Sequence, residues 1–432
     1  MSSRVHRLPR IVASATVLAL VGCGAGGEGS DDDASGSPTS NATSSSAAPT
    51  SSTASGGSSS SPRRGGSSSS TTSASPSSTA GAPKASSCVT GVRDAMSDTQ
   101  QAGQLVMAAL QPGPETALDP YIAEQGLGSM LYLGGWEESG TVAAASDHLQ
   151  QSAPTIDGTK VGLLIAADQE GGEVQQLTGS GFSSIPSGVE QAEDEDLRAS
   201  AKGWGAELKN AGVNVNLAPS ADTVPEDIGK ANEPIGQWGR QYGSTPDAAG
   251  RGAVDFARGM QDAGVEPTVK HFPGIGRITG NTDLTAEGTT DETATTKDPH
   301  LAPFADTIDA GTRIVMVGSA RYPKLDGDTP AMFSDRIVTD LLRKQMGFDQ
   351  VVVTDDVGVA KSVSDTPVGE RATEFVDAGG DIVLTAKGDQ VPTMVESLTD
   401  KAQQDPAFAA KMDDSVTRVL TLKEQMGLLD CG

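Results

Sequence analysis

Val265-Glu266-Pro267-Thr268-Val269-Lys270-His271-Phe272-Pro273-Gly274-Ile275-Gly276 is the stretch from which the rest of the chain can be ordered. Val265 to Val269 reads as a short strand. Lys270 and His271 stand at its mouth, and Pro273, Gly274 and Gly276 open a polar loop that reaches to about Asp298. A packed strand end does not need a Lys-His pair followed by Pro and Gly. A small-molecule site does, because it wants donors aimed outward on backbone that Pro and Gly shape for close approach. The bland alternative is a polar strand-to-loop junction.

Outward from this strand, the same unit repeats. Short apolar runs at 104–110, 128–133, 161–167, 213–217, 266–270, 313–317, 350–354 and 381–384 read as buried parallel strands. Helical patterns lie between and after them at 140–151, 197–210, 246–262, 301–310, 334–346, 369–378, 391–400 and 406–426. Eight strands alternating with helices predict an α/β fold, a (β/α)8 TIM-type barrel in a single domain over 88–432, better than an open doubly wound sheet.

The segments before this domain predict export. Arg4, Arg7 and Arg10 precede an apolar run from Ile11 to Val21, too short to span a bilayer, so 1–22 reads as a signal peptide. Leu20-Val21-Gly22-Cys23 resembles a lipobox, which would make Cys23 the lipid-bearing residue. From 23 to 87 the chain is almost entirely Ser, Thr, Gly, Ala and Pro, a composition that cannot bury a core and reads as a disordered linker. The expected location is extracytoplasmic, with the membrane met through the N-terminal lipid only.

The formal net charge is -26. That argues against nucleic acid and against docking on anionic lipid. A monomer is expected. Of three Cys, Cys88 and Cys431 bracket the domain and read as a disulfide in an exported protein. Such a bridge requires the domain's two ends to meet. Closing so long a loop is worth about 4–5 kcal/mol at the upper end. No cofactor and no metal site is expected, since no His pair has ligand spacing and Glu170-Gly171-Gly172 lacks the rest of a nucleotide fingerprint.

Active sites of such barrels lie where the strands end. The third strand ends in Asp168-Gln169-Glu170-Gly171-Gly172, the fourth near Asn216 with Asp222 beyond, the fifth in Lys270-His271 and the seventh in Asp355-Asp356. A single Asp there is usually a cap or a turn residue. Several on one rim beside a Lys-His pair point to a site.

These segments resemble signatures of family 3 glycoside hydrolases, nearest the single-domain bacterial β-N-acetylhexosaminidases. Asn216-Leu217-Ala218-Pro219, Pro234-Ile235-Gly236 leading to Arg240, and Tyr322-Pro323 also fit, in order, across nearly all of 100–429. The resemblance implies a retaining enzyme acting on a carbohydrate substrate, with N-acetylglucosamine-type cell-wall sugars expected. Asp355 matches the nucleophile. Asp168, Arg240, Lys270 and His271 match positions that hold the sugar.

The chain also departs from the family pattern. The usual loop carries a His where Ile275 stands, and an Asp-Ser-His triplet where Asn281-Thr282-Asp283 stands; that last His is the general acid/base. Only four His are present, and His6, His148 and His300 are not placed to replace it. Two Arg of the third-strand segment are replaced by Glu173 and Gln176. Three readings remain at this level: Asp283 serves as acid/base, Glu287 or another loop acid does, or the scaffold has become a catalytically impaired glycan- or partner-binding lipoprotein. A two-lobed solute-binding lipoprotein, by contrast, predicts neither a bridge between the extreme ends nor the Lys-His-Phe-Pro-Gly segment.

Overall fold

The computed structural model describes residues 84–431. The expected signal peptide, Cys23 and almost all of the linker lie outside the described residues.

Eight strands form one parallel sheet: β1 (Val106–Leu110), β2 (Ser129–Tyr132), β3 (Leu164–Ala167), β4 (Val215–Asn216), β5 (Glu266–Phe272), β6 (Ile314–Val317), β7 (Val351–Thr354) and β8 (Val383–Thr385). Each pairs with the next from β1 to β7, and β1 also pairs with β8. A parallel bridge between Val353 and Ile382 joins β7 to the start of β8, with Thr354 N–H donating to Ile382 O at 3.0 Å. The sheet is therefore a closed TIM-type barrel, as the strand count predicts. β7 shows why these segments are strands. Val351, Val352, Val353 and Thr354 are all β-branched and all buried, which suits a strand covered on both faces.

Two helices precede the barrel, α1 (Ser87–Ala95) and α2 (Asp98–Gln104), and α3 (Asp119–Gln125) follows β1. The periodicity argument above does not find these three. Nor does it find the four-residue helices Gly188–Gln191 and Pro323–Asp326, while the other, longer helices fall where the pattern places them: α4 (Ser139–Ser152), α5 (Leu197–Asn210), α6 (Pro246–Ala263), α7 (Ala302–Asp309), α8 (Arg336–Gln345), α9 (Val368–Ala378), α10 (Val391–Gln404) and α11 (Pro406–Gln425). Their ends are set by local chemistry. α6 starts where the Thr245 hydroxyl accepts from Ala248 N–H with Pro246 in the first turn, and stops where Gly264 takes φ 80°. α8 is wound as a π-helix rather than the expected α-helix.

After α11 the chain crosses beneath the barrel. Gly162 N–H, just ahead of β3, donates to Leu428 O at 2.7 Å, and Val161 pairs with Leu429. This crossing brings Cys431 to Cys88, which form the expected disulfide with Cα atoms 5.9 Å apart. Both ends of the domain thus sit at the N-terminal side of the strands. The loops that follow the strands occupy the opposite rim. No helix among the described residues is long and apolar enough to cross a membrane.

Candidate active site

On that rim, one pocket of about 290 Å³ is lined by Asp168, Arg240, Lys270, His271, Asp283 and Asp355. All six residues expected from the sequence to touch a ligand come together. The space is at the small end of ligand pockets, roughly 300–1,000 Å³.

One expectation needs correction. Lys270 and His271 are not outward donors at a strand mouth. β5 continues to Phe272, so both lie inside a strand that is buried along its whole length, 2% and 4% exposed. A charge so placed needs partners, and each has them. The Lys270 ammonium sits 2.5 Å from Asp168 Oδ1 and 2.7 Å from Glu170 Oε1. Burial works against its charge, but the Asp168 and Glu170 carboxylates outweigh it and raise its pKa.

Glu170 holds this side of the pocket together. Its Oε1 accepts from Arg240 Nη2 at 2.6 Å and its Oε2 from Arg240 Nε at 2.8 Å, a two-bond fork. Burial alone would push the Glu170 carboxyl up. The Arg240 guanidinium and the Lys270 ammonium hold it well below the usual carboxylate range instead. Asp222, fully buried, does the same service for His271. Its Oδ2 meets His271 Nδ1 at 2.7 Å, and its Oδ1 accepts from Ile275 N–H at 2.7 Å. With Nδ1 donating to a carboxylate, Nε2 is left to accept from Arg240 Nη2 at 3.3 Å. The peptide bonds Ala218–Pro219, Lys270–His271 and Phe272–Pro273 on this side are cis.

The lining also carries three carboxylates, Asp283, Asp355 and Asp356, none of them ion-paired among the described residues, although Arg240 and His271 are near enough to Asp283 to act on its charge. Asp356 is tied down: it accepts from Gly358 N–H and Val359 N–H at 2.9 Å each and from Ala386 N–H at 2.6 Å. Burial pushes its carboxyl up, and the neighbouring Asp355 adds to that. Asp355 differs. Only Asp356 N–H, at 2.9 Å, is bonded to its carboxylate, on Oδ1, so Oδ2 is open to the pocket.

Asp283 stands on the long loop after β5, which is fastened at several points. Gly280 N–H donates to Gly288 O at 2.9 Å, Lys361 N–H to Asp283 O at 3.2 Å, and Ser362 N–H to Thr282 O at 3.1 Å. Arg277 clamps the loop's base through Asp291 at 2.8 Å and Asp298 at 2.7 Å. Asp283 is open to solvent at the pocket's mouth yet walled round by it. That enclosure first, then the Asp355 and Asp356 carboxylates, push its carboxyl up to about 7.

The remaining candidates fall elsewhere. Ile275 is buried and lends the pocket an apolar wall. Glu173 is exposed and outside the pocket lining, and Gln176 uses Oε1 to accept from Gly134 N–H at 3.0 Å. Glu287 does not line the pocket, His148 pairs with Asp119 at 2.9 Å, and His300 is also absent from the lining. Sequence reasoning did not count Glu170 and Asp222 among the site residues. The spacing carried the signal for Glu170: two residues after Asp168 in an extended segment is the same face.

Residues 99–422 match the family described as Glycosyl hydrolase family 3 N terminal domain. The chain belongs to glycosyl hydrolase family 3. A Beta-hexosaminidase of Xanthomonas axonopodis pv. citri (strain 306) is 30% identical over 280 residues, 63% of this chain and 79% of that protein. One of Xylella fastidiosa (strain 9a5c) is 32% identical over 277 residues, 62% and 79%. The crystal structure of a Beta-N-acetylhexosaminidase from Beutenbergia cavernae DSM 12333 superposes with a TM-score of 0.73 at 40% identity, covering 76% of this chain and 99% of that one. This family 3 chain is a glycoside hydrolase.

Proposed function

We propose that the protein is an exported, lipid-anchored, retaining β-N-acetylhexosaminidase that releases N-acetylglucosamine-type sugars from cell-wall fragments. The observation that carries the mechanism is that Asp355, whose Oδ2 carries no hydrogen bond among the described residues, and Asp283, whose carboxyl is pushed up from its ordinary value, line the same pocket. A retaining glycosidase needs a proton donor beside a nucleophile, and on Asp283 enclosure first, then the Asp355 and Asp356 carboxylates, favour the protonated form.

In the first step Asp355 attacks the anomeric carbon. The glycosidic C–O bond breaks, and the Asp283 proton goes to the leaving oxygen. In the second, Asp283, now a carboxylate, takes a proton from water. The water oxygen bonds to the anomeric carbon and Asp355 departs unchanged. Asp168, Lys270, Arg240 and His271 receive the sugar hydroxyls, and Glu170 holds Lys270 and Arg240 in place for them. Rigid ion pairs make them a template whose geometry is set before the sugar arrives.

The lipobox and linker support the anchoring, and the chain enters the barrel on the side away from the pocket. There Ser86, ahead of α1, donates to Glu424 at 2.6 Å. The hexosaminidase names of the relatives support the sugar class. A fluorinated, mechanism-based sugar tests the nucleophile: an adduct on Asp355 is expected, and an adduct on another residue or none at all overturns the assignment.

The positions of Glu173 and Gln176, neither of which offers a cation to the pocket, favour a second reading, a sugar-binding protein with impaired hydrolysis. Calorimetric binding of the sugar without turnover would decide for it.

A further inference from the structure

The described residues leave four large hydrophobic side chains open to solvent: Val189 (41%), Trp238 (45%), Leu284 (74%) and Val359 (47%). Single exposed hydrophobics are ordinary on a protein surface. Their placement here is not scattered. Val189 follows β3, Trp238 follows β4, Leu284 follows β5 and Val359 follows β7. All four therefore stand in segments that follow strands, on the rim that carries the pocket, Val189 within the short helix Gly188–Gln191.

Val359 lines the mouth of the pocket and Leu284 follows Asp283. Trp238 and Val189 form a separate feature. They line a shallow depression of about 320 Å³ together with Ser187, Lys230, Gln237 and Gln241. Of three Trp in the chain it is Trp238 that is open, since Trp136 is 4% exposed and Trp204 packs against the core.

The depression is held rigidly. Val189 N–H donates to Gly239 O at 3.0 Å, and a Cβ on Gly188 would come within 2.3 Å of Arg240 O. Asn232 fixes the segment from below, accepting from Ile235 and Gly236 N–H and donating to Ile275 O and Ile278 O at 2.8 and 2.7 Å. The same segment walls the catalytic pocket: Pro234 and Arg240 face the pocket, while Gln237, Trp238 and Gln241 face the depression.

We propose that this depression is a second saccharide site, holding another pyranose ring of the glycan whose terminal sugar enters the pocket. The proposal rests on the glycan reading above. A flat indole framed by two carboxamides, a hydroxyl and an ammonium matches a pyranose, which has one C–H face and a belt of hydroxyl and acetamido groups. A protein-docking hot spot would instead be apolar at its centre with charge excluded. The rigid mounting lowers the ordering cost of binding.

The test compares the wild type with Trp238→Ala and Trp238→Phe, full chain in each case. Two readouts are used: retardation on an affinity gel containing soluble N-acetylglucosamine polymer, and kcat/KM on a nitrophenyl N-acetyl-β-glucosaminide and on a long chitooligosaccharide. Trp238→Ala is expected to lose most of the retardation and to raise KM for the long substrate by about tenfold, with Trp238→Phe intermediate. The nitrophenyl substrate is expected to change less than about twofold. Unchanged retardation overturns the site. So does an equal loss on both substrates, which would place Trp238 in the pocket. So does a fall in sedimentation coefficient on substitution, which would mark a face between copies of the chain. If the wild type cleaves neither substrate, the glycosidase reading fails while the gel still decides the site.

Discussion

The two sides of the pocket solve opposite electrostatic problems. On one, every buried charge has a partner: Lys270 lies between Asp168 and Glu170, Arg240 forks onto Glu170, and His271 leans on Asp222. On the other, Asp283, Asp355 and Asp356 crowd together with no cation among the described residues bonded to any of them, and two of the three carboxyls are pushed up. Paired charges give a rigid surface that changes little when a sugar lands on it. Unpaired like charges leave a proton poised to move. In the proposed mechanism this difference gives binding to the first side and bond-breaking to the second.

That division breaks most visibly at Asp355. Asp355→Asn should cost on the order of 10⁴–10⁶ in kcat on a nitrophenyl glycoside, as removal of a nucleophile does elsewhere. Melting should be unharmed, because a repelling charge is gone. A loss below about 10² would move the nucleophile off this residue. The paired side should respond in the other currency. Glu170→Ala leaves Lys270 and Arg240 buried with too few anions, at a cost of about 3–5 kcal/mol in urea unfolding. Its carboxyl is depressed in the folded state, so its stabilisation is present above the ordinary carboxylate range and lost as pH falls below it. Glu170→Gln should therefore flatten the acid limb of the stability profile.

Away from both sides, converting Cys88 and Cys431 together to Ser should cost about 2–5 kcal/mol and leave kcat within a small factor, since the bridge lies under the far end of the barrel. The smallest effect belongs to Asp283. Its carboxyl is raised in the folded state, so the protonated form's contribution is complete below the ordinary carboxylate range and is lost as pH rises through about 7. Asp283→Asn should match the wild type in melting temperature near pH 3, below the ordinary carboxylate range, and exceed it increasingly up to pH 8, by on the order of 1–3 °C there, solvent access weakening the repulsion.

The barrel was legible because each strand is short, apolar and followed by a helix. The Val351–Thr354 run is all β-branched, which suits a buried strand, and a strand ending there puts Asp355 at the rim. The disulfide was legible from two Cys at the domain's ends in a chain that reads as exported. α1, α2 and α3 were not: α1 and α2 stand ahead of the strand–helix repeat, and α3, seven residues long, gives too few turns for a periodic signal. Nor was the true setting of Lys270 and His271. A Lys and a His normally mark the end of a strand, and only the distant partners Asp168, Glu170 and Asp222, 102, 100 and 49 positions away in sequence, allow them inside one. Charge pairing across a barrel is tertiary information. The same holds for Asp356, whose neighbour in sequence has the identical side chain. Three backbone N–H groups, not any sequence pattern, separate the anchored acid from the open one.

The central claim is that Asp283 hands its proton to the leaving group, and leaving-group dependence tests it most directly. The experiment measures kcat/KM for wild type and Asp283→Ala across N-acetyl-β-glucosaminides whose leaving groups run from dinitrophenol to a sugar hydroxyl. The account predicts little loss with dinitrophenol and a loss of ~10²–10⁴ with the sugar, because only the poorer leaving group needs the proton. An equal loss across the whole series, or no loss with the sugar, would contradict it.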